Sequence, residues 1–205
     1  MADAAPAYPR RQKKKERTRA AIIAAANRLV HERGPSDVTV NDIADAADVH
    51  VTTLFNHFPT RGALFAALTE PDIDRLDQAI AAARAQGIGF FEFLRIAVHF
   101  AVEGHRNDKW TGVPFGADHH ADPELVAAWL AYERRQVALL TDYAAAEFGL
   151  DPETDKRPFL IASMIVSANI QTFERWQRDR DGVDLEAENL KVLKAAEALI
   201  KPGVR

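Results

Sequence analysis

The chemical options of this chain lie in three groups of residues. Asp118-His119-His120-Ala121-Asp122-Pro123-Glu124 gathers imidazoles and carboxylates of the kind that hold zinc, nickel or iron. Adjacent histidines rarely turn to one ion, and no H-E-x-x-H or comparable ligand spacing supports them. The segment therefore reads as a polar loop without metal, in which Asp122 caps the helix that Pro123 begins. His99 and His105 lie six residues apart without a partner close in sequence, and read as one partly buried and one surface histidine. The chain has no Gly-rich phosphate loop, no G-x-S-x-G elbow and no credible nucleophile–base pair, so an enzyme and a cofactor are both unexpected. The second group, Val51 to His57, is rich in small polar side chains. The third is cationic. Arg10, Arg11, Lys13, Lys14, Lys15, Arg17, Arg19, Arg28 and Arg33 face only Glu16 and Glu32 between positions 10 and 33, a bias suited to phosphates or a minor groove.

The elements that must carry these groups are helical. Thr39 stands where an N-cap belongs, and Asp42 three residues later completes a capping box. Val40, Ile43, Ala44 and Ala47 recur at helical spacing, and Asp48-Val49-His50 breaks the period. A second helix over about Val51–Phe58 is too short to stand alone, because isolated helices below roughly 12 residues are marginal. Packing through Val49, Leu54 and Phe58 must hold it. A braced short helix presenting small polar side chains is built to enter a DNA major groove, although a buried helix pair in an ordinary helical enzyme has a similar pattern. Ahead of it, a helix from about Gln12 to Arg33 ends at Gly34-Pro35, while Pro6 and Pro9 break any helix over residues 1–9.

Downstream, a helix from Arg61 should break or kink at Glu70-Pro71, and another follows over Asp72–Gln86. Helical periodicity resumes from Gly89-Phe90 to Val102 and fails across Glu103–Asp122. Long helices are expected over Pro123–Phe148, about Lys156–Asp179 and Leu185–Lys201. No stretch alternates with period two for long enough to make a strand. The fold class is all-α with about nine helices.

Residues Arg17 to Phe65 resemble the DNA-binding domain of the TetR/AcrR family of bacterial repressors. The likeness lies in an arginine-led first helix ending in glycine (Arg17–Gly34), the run Val38 to Val49, and Thr53-Leu54-Phe55-Asn56-His57-Phe58-Pro59-Thr60-Arg61-Gly62-Ala63-Leu64. Four positions depart from the family pattern: Asp48 replaces a turn glycine, His50 an N-cap serine, Phe55 a phosphate-binding tyrosine, and Arg61 a lysine. His50 should weaken the start of the short helix, and Arg61 should bring a bidentate fork to phosphate. The resemblance implies that Val51, Thr52, Thr53 and Asn56 face the groove with His57 near the backbone, while Thr39, Arg61 and Lys13 to Lys15 touch phosphate. Asn pairs with adenine and Thr or Val meets a thymine methyl, so half-sites containing A·T are expected. It further implies a DNA-binding domain over residues 1–60 and a helical regulatory and dimerisation domain over 61–205. The partners would be a double-stranded operator, a small-molecule effector, and a second copy joined through the last two helices. On pattern alone, the stripes Leu160, Met164, Ala168, Thr172 and Leu190, Leu193, Ala196, Leu199 fit intramolecular core as well.

Composition agrees with this reading. The chain has 205 residues, a net charge of −4 and no cysteine, so disulfides and thiol chemistry are excluded and a cytoplasmic location fits. Residues 1–70 hold ten Lys/Arg against eight Asp/Glu, whereas the remainder holds sixteen against twenty-two. No apolar run follows the basic start to make a signal peptide, and Phe159–Ile170 is too short to span a bilayer. The second domain carries more aromatics than a small helical core needs, which suggests an apolar pocket with few polar groups. Phe93, Phe100, Trp110, Phe115, Trp129, Tyr132 and Phe173 are the candidate lining, with His99, Glu103, Ser163 and Ser167 as polar contacts. A DNA-binding regulator without an effector, governed by abundance or a protein partner, is the other reading.

Overall fold

The computed structural model describes residues 9–106 and 122–200, and all regular elements among them are helices. These are α1 (Pro9–Arg33), α2 (Val40–Ala46), α3 (Val51–His57), α4 (Arg61–Ala85), α5 (Phe90–Arg106), α6 (Pro123–Phe148), α7 (Arg157–Arg178) and α8 (Leu185–Ile200). None is long and apolar enough to cross a membrane.

The described residues contain eight helices where about nine were expected, because Pro71 lies inside α4 instead of ending it. An interior proline deletes one N–H bond and crowds the carbonyl four residues back, at about 3 kcal/mol. Leu64, Phe65 and Leu68 before it and Ile73 and Ile80 after it are all buried. At about 1.5–3 kcal/mol for each such chain, their burial outweighs the local cost. Pro9 also corrects the reading, since it opens α1, where a fixed φ is compatible with a first helical turn. Helix α5 runs on to Arg106, past the expected end at Val102.

The chain divides into two compact units, one of residues up to 68 together with 113–128, the other of 69–112 together with 129–205. In the first, α1, α2 and α3 pack around Ile22, Ala26, Val30, Ile43, Leu54 and Phe58, all buried. This unit is therefore discontinuous in sequence, taking in the first turns of α6 as well as the start of α4. In the second, α8 packs on α5 and α7 around Phe90, Phe93, Tyr143, Ile165 and Leu193. Phe90 and Phe93 meet the Tyr143 ring edge-on at 5.7 and 5.4 Å, and the Tyr143 hydroxyl donates to the Ile88 carbonyl at 2.5 Å. Helices α4 and α6 end at Gly87 and Gly149 with φ of +69° and +61°. In each case the next residue's N–H reaches a carbonyl five residues back, Ile88 to Ala83 and Leu150 to Ala145, a closure that a side chain at the glycine would strain.

Candidate nucleic-acid interface

The start of α2 closes as its sequence demands. The Asp42 N–H donates to Thr39 Oγ1 at 3.1 Å, and Asp42 Oδ2 accepts from the Thr39 N–H at 2.9 Å and from its hydroxyl at 2.6 Å. These bonds hold the Asp42 carboxyl below the usual carboxylate range. At the other end, Val49 N–H reaches the Ala44 carbonyl at 3.0 Å, and Asp48 takes a φ of +52°. Asp48 thus adopts the left-handed conformation that a turn of this kind requires, at the cost a side chain carries there.

His50 serves as the cap of α3, its Nδ1 accepting from the Thr52 N–H at 3.3 Å and lying 3.0 Å from Thr52 Oγ1. Leu54 and the C-cap Phe58 are buried and anchor the helix. Thr52, Phe55 and Asn56, spaced i, i+3 and i+4, are exposed on one face, while Val51, Thr53 and His57 are half-buried along its edges. Phe55, 42% exposed, is a large apolar ring in solvent beside Asn56.

Lys13, Lys14 and Lys15 are exposed on the first turns of α1. Further along α1, the Arg19 guanidinium stacks on the Phe58 ring at 4.9 Å. Burial first, then the charges of Lys15 and Arg19, pull the His57 imidazole below its usual pKa, which favours its neutral form. Its Nδ1 is buried without a hydrogen-bond partner. The tautomer with the proton on Nε2 leaves an acceptor buried and unmet, a lesser loss than a stranded N–H. Arg19 was missed because nothing local marks it out among the other α1 cations; its partner is 39 positions away in the sequence.

Arg61, expected on phosphate, is engaged within its own unit here. Its guanidinium is turned inward, one terminal nitrogen on the Asp122 carboxylate and the other on the carbonyls of Pro35 and Val38 at 2.6 and 3.0 Å, with the Phe65 ring at 5.4 Å. In this form it ties the α1–α2 turn, the start of α4 and the start of α6 together and presents no free fork to phosphate. Beside it, the Gly62 N–H donates to Glu124 Oε2 at 2.7 Å, and a Cβ at Gly62 would stand 3.1 Å from the Glu124 carbonyl oxygen. Asp122 caps α6 as expected, its Oδ1 accepting from the Glu124 N–H at 2.9 Å.

Among the described residues, the effector candidates of the second unit stand in different settings. Phe93 is core, packed on Tyr143. His99 is exposed and pairs with Glu186 at 3.0 Å, Phe100 is 70% exposed, and Ser167 is exposed, which corrects the expectation of buried polar contacts at His99 and Ser167. Ser163 is half-buried, and half-buried Glu103 accepts from Arg106 at 3.1 Å. Trp129 and Tyr132 meet at 5.5 Å between ring centroids, and burial, reinforced by Asp72, pushes the Tyr132 phenol up. Phe173 joins two residues outside the expected lining, His105 at 4.7 Å and Trp176 at 5.6 Å, with Arg180 over the Trp176 ring at 4.8 Å. Burial and then the Arg180 charge pull His105 down to about 4. The i, i+3 pair Phe173–Trp176 was a visible sign of this cluster. Trp110, Phe115, Asp118, His119 and His120 lie outside the described residues.

Comparison with known proteins agrees with this geometry. Residues 22–68 match the family described as bacterial regulatory proteins, tetR family. The chain is 30% identical over 199 residues to the HTH-type transcriptional regulator TcmR of Streptomyces glaucescens, covering 92% of this chain and 85% of that protein. Among solved structures, FadR of Thermus thermophilus, a TetR-family transcriptional repressor crystallised with lauroyl-CoA, superposes with a TM-score of 0.64 at 24% identity, over 87% of this chain and 92% of that one. The SmeT–triclosan complex superposes with a TM-score of 0.62 at 19% identity, over 92% and 94%. SmeT is the repressor of a Stenotrophomonas maltophilia multidrug efflux pump.

Proposed function

Because the chain belongs to the tetR family of bacterial regulatory proteins and is a DNA-binding transcriptional regulator, we propose that it is a repressor, released from a near-palindromic operator by a small apolar or aromatic ligand. The observation that carries this reading is the exposed Thr52–Phe55–Asn56 face of a short helix fixed by Leu54 and Phe58. Each subunit of a homodimer would lay α3 in the major groove, with half-sites about 35 Å apart or a multiple of it. Asn56 would read adenine, Val51, Thr52 and Thr53 would meet thymine methyls, and the α1 lysines and neutral His57 would hold phosphates.

Pairing of subunits through α7 and α8 is supported by the apolar chains these helices leave exposed, Leu160, Met164, Leu190 and Leu199, while Thr172, Leu193 and Ala196 turn into the core. Release by a ligand is supported by the structural neighbours crystallised with lauroyl-CoA and triclosan. The effector acts only through a difference in affinity between two conformers, one with the reading helices at operator spacing. The effector-free alternative gains support from Phe93, which fills the core, and from the exposure of His99 and Ser167.

Selection of operator sites from random duplexes by the full-length protein tests the reading. Asn56→Ala should then cost about 1–3 kcal/mol on the selected operator and much less on unrelated DNA. Equal losses on both would remove Asn56 from the base readers.

A further inference from the structure

Arg61 is a cation that the reading unit neutralises with its own acid. Its side chain is 22% exposed and that of Asp122 25%, so the pair sits at the surface layer, within reach of an incoming anion. The guanidinium rests on the Val38 carbonyl at 3.0 Å, one residue before Thr39, the exposed N-cap of α2. A phosphate approaching that point meets Asp42, whose carboxylate already takes both Thr39 donors. Arg33 is the cation that acts on the Asp42 carboxylate, and Arg61, on the Val38 carbonyl next to Thr39, is a second cation close to the same cap. Asp122 meets the guanidinium through one oxygen, Oδ2, while its Oδ1 caps α6, and a phosphate oxygen is an anionic acceptor of the same kind for that one nitrogen.

We infer that Asp122 is an internal stand-in for DNA phosphate: the Asp122 carboxylate and a backbone phosphate at the start of α2 compete for Arg61. This rests on the DNA-binding reading above and adds control to it. While the first turn of α6 holds Arg61, the unit offers one phosphate contact fewer. When Asp122 leaves, the fork turns to DNA, and the Pro35 and Val38 carbonyls remain as the hinge on which it swings. The tie is thus self-masking, and its strength is set by residues at the start of a helix whose remaining length belongs to the other unit. Scaffolding alone predicts something different: breaking a scaffold alters affinity without adding a released counterion.

The experiment uses the full chain, a selected operator and an unrelated duplex of about three helical turns. Asp122→Asn removes the charge but retains a good N-cap for α6. It should steepen the slope of log K against log salt by about 0.9 and tighten both duplexes about three- to tenfold at low salt. In an Arg61→Gln background the same substitution should leave the slope where it was. An unchanged slope in Asp122→Asn overturns the competition, as does an equal steepening when Arg61 is absent, which would be the effect of overall charge. Asp122→Ser, also a good cap, repeats the comparison if the asparagine variant melts early. Wild-type protein that binds neither duplex sinks the DNA reading itself, whereas wild-type binding with an unmoved slope sinks only the competition.

Discussion

Helix α3 and helix α7 each place side chains in water that run against their surroundings, but in opposite senses. Seven-residue α3 hides Leu54 and exposes Thr52 and Asn56, hydrogen-bonding groups spread over one face. Twenty-two-residue α7 exposes the apolar chains Phe159, Leu160 and Met164, and α8 exposes Leu190 and Leu199. The first arrangement suits a partner with donors and acceptors of its own, the second a partner that excludes water. The difference also shows in what stabilises each unit. The short helices α2 and α3 bury only Ile43, Ala44 and Leu54 and lean on the longer α1, whereas the second unit draws its core of twenty buried residues from long helices.

The largest effect separating the two should come from Leu54→Ala. A fully buried leucine under a helix that cannot fold alone should cost about 2–5 kcal/mol in urea unfolding and abolish operator binding, while dimerisation survives. Loss of dimers in that variant would erase the contrast between the units. Next comes a pH dependence located in the second unit. His105 is held near a pKa of about 4, against about 6.5 unfolded, so its neutral form favours the native state. The unfolded chain takes up the proton first as pH falls, and stability is therefore complete above about pH 6.5 and lost on the way to 4. Between pH 7 and pH 5 the loss should reach about 2 kcal/mol as an upper bound, and His105→Phe, which keeps a ring against Phe173 and Trp176, should shrink it. His57, also lowered, contributes in the same direction from the reading unit. The smallest effect should be Thr39→Ala, about 1 kcal/mol in unfolding, with operator affinity falling in step as α2 frays. An affinity loss well beyond that stability loss would mark a direct phosphate contact at Thr39.

The reading unit was legible in the sequence where its logic is local. The Thr39–Asp42 box, the left-handed Asp48, the stop at Gly34 and the Leu54 and Phe58 anchors all depend on neighbours within a few positions. Arg61 was not legible, because its acceptors lie 23, 26 and 61 positions away and only the fold brings them to one side chain. A cation at the start of a helix after a reading helix looks like a free phosphate ligand, and nothing near it in sequence announces the internal carboxylate on it. Pro71 misled for a related reason: the rule that proline ends helices weighs one turn, while the burial on either side is set by the rest of the chain. The effector residues were least legible. Aromatic and polar types on helical spacing give the face only to within a turn, so His99 and Ser167 fell outside and Phe93 fell into the core.

The discontinuity of the reading unit bears on how the protein is made. Leu125 is fully buried, and the first turn of α6 supplies the carboxylates for Arg61 and Gly62, so the ribosome has emitted every residue of the reading helices long before this unit has all its parts. Ala128, where the second segment of that unit ends, lies sixty positions after Leu68, where the first segment ends. At about 5–20 residues per second this stretch takes roughly 3–12 s to synthesise. For that interval the nascent head has its basic arm and α3 but not Asp122, and the regulator gains its acidic restraint only as α6 emerges.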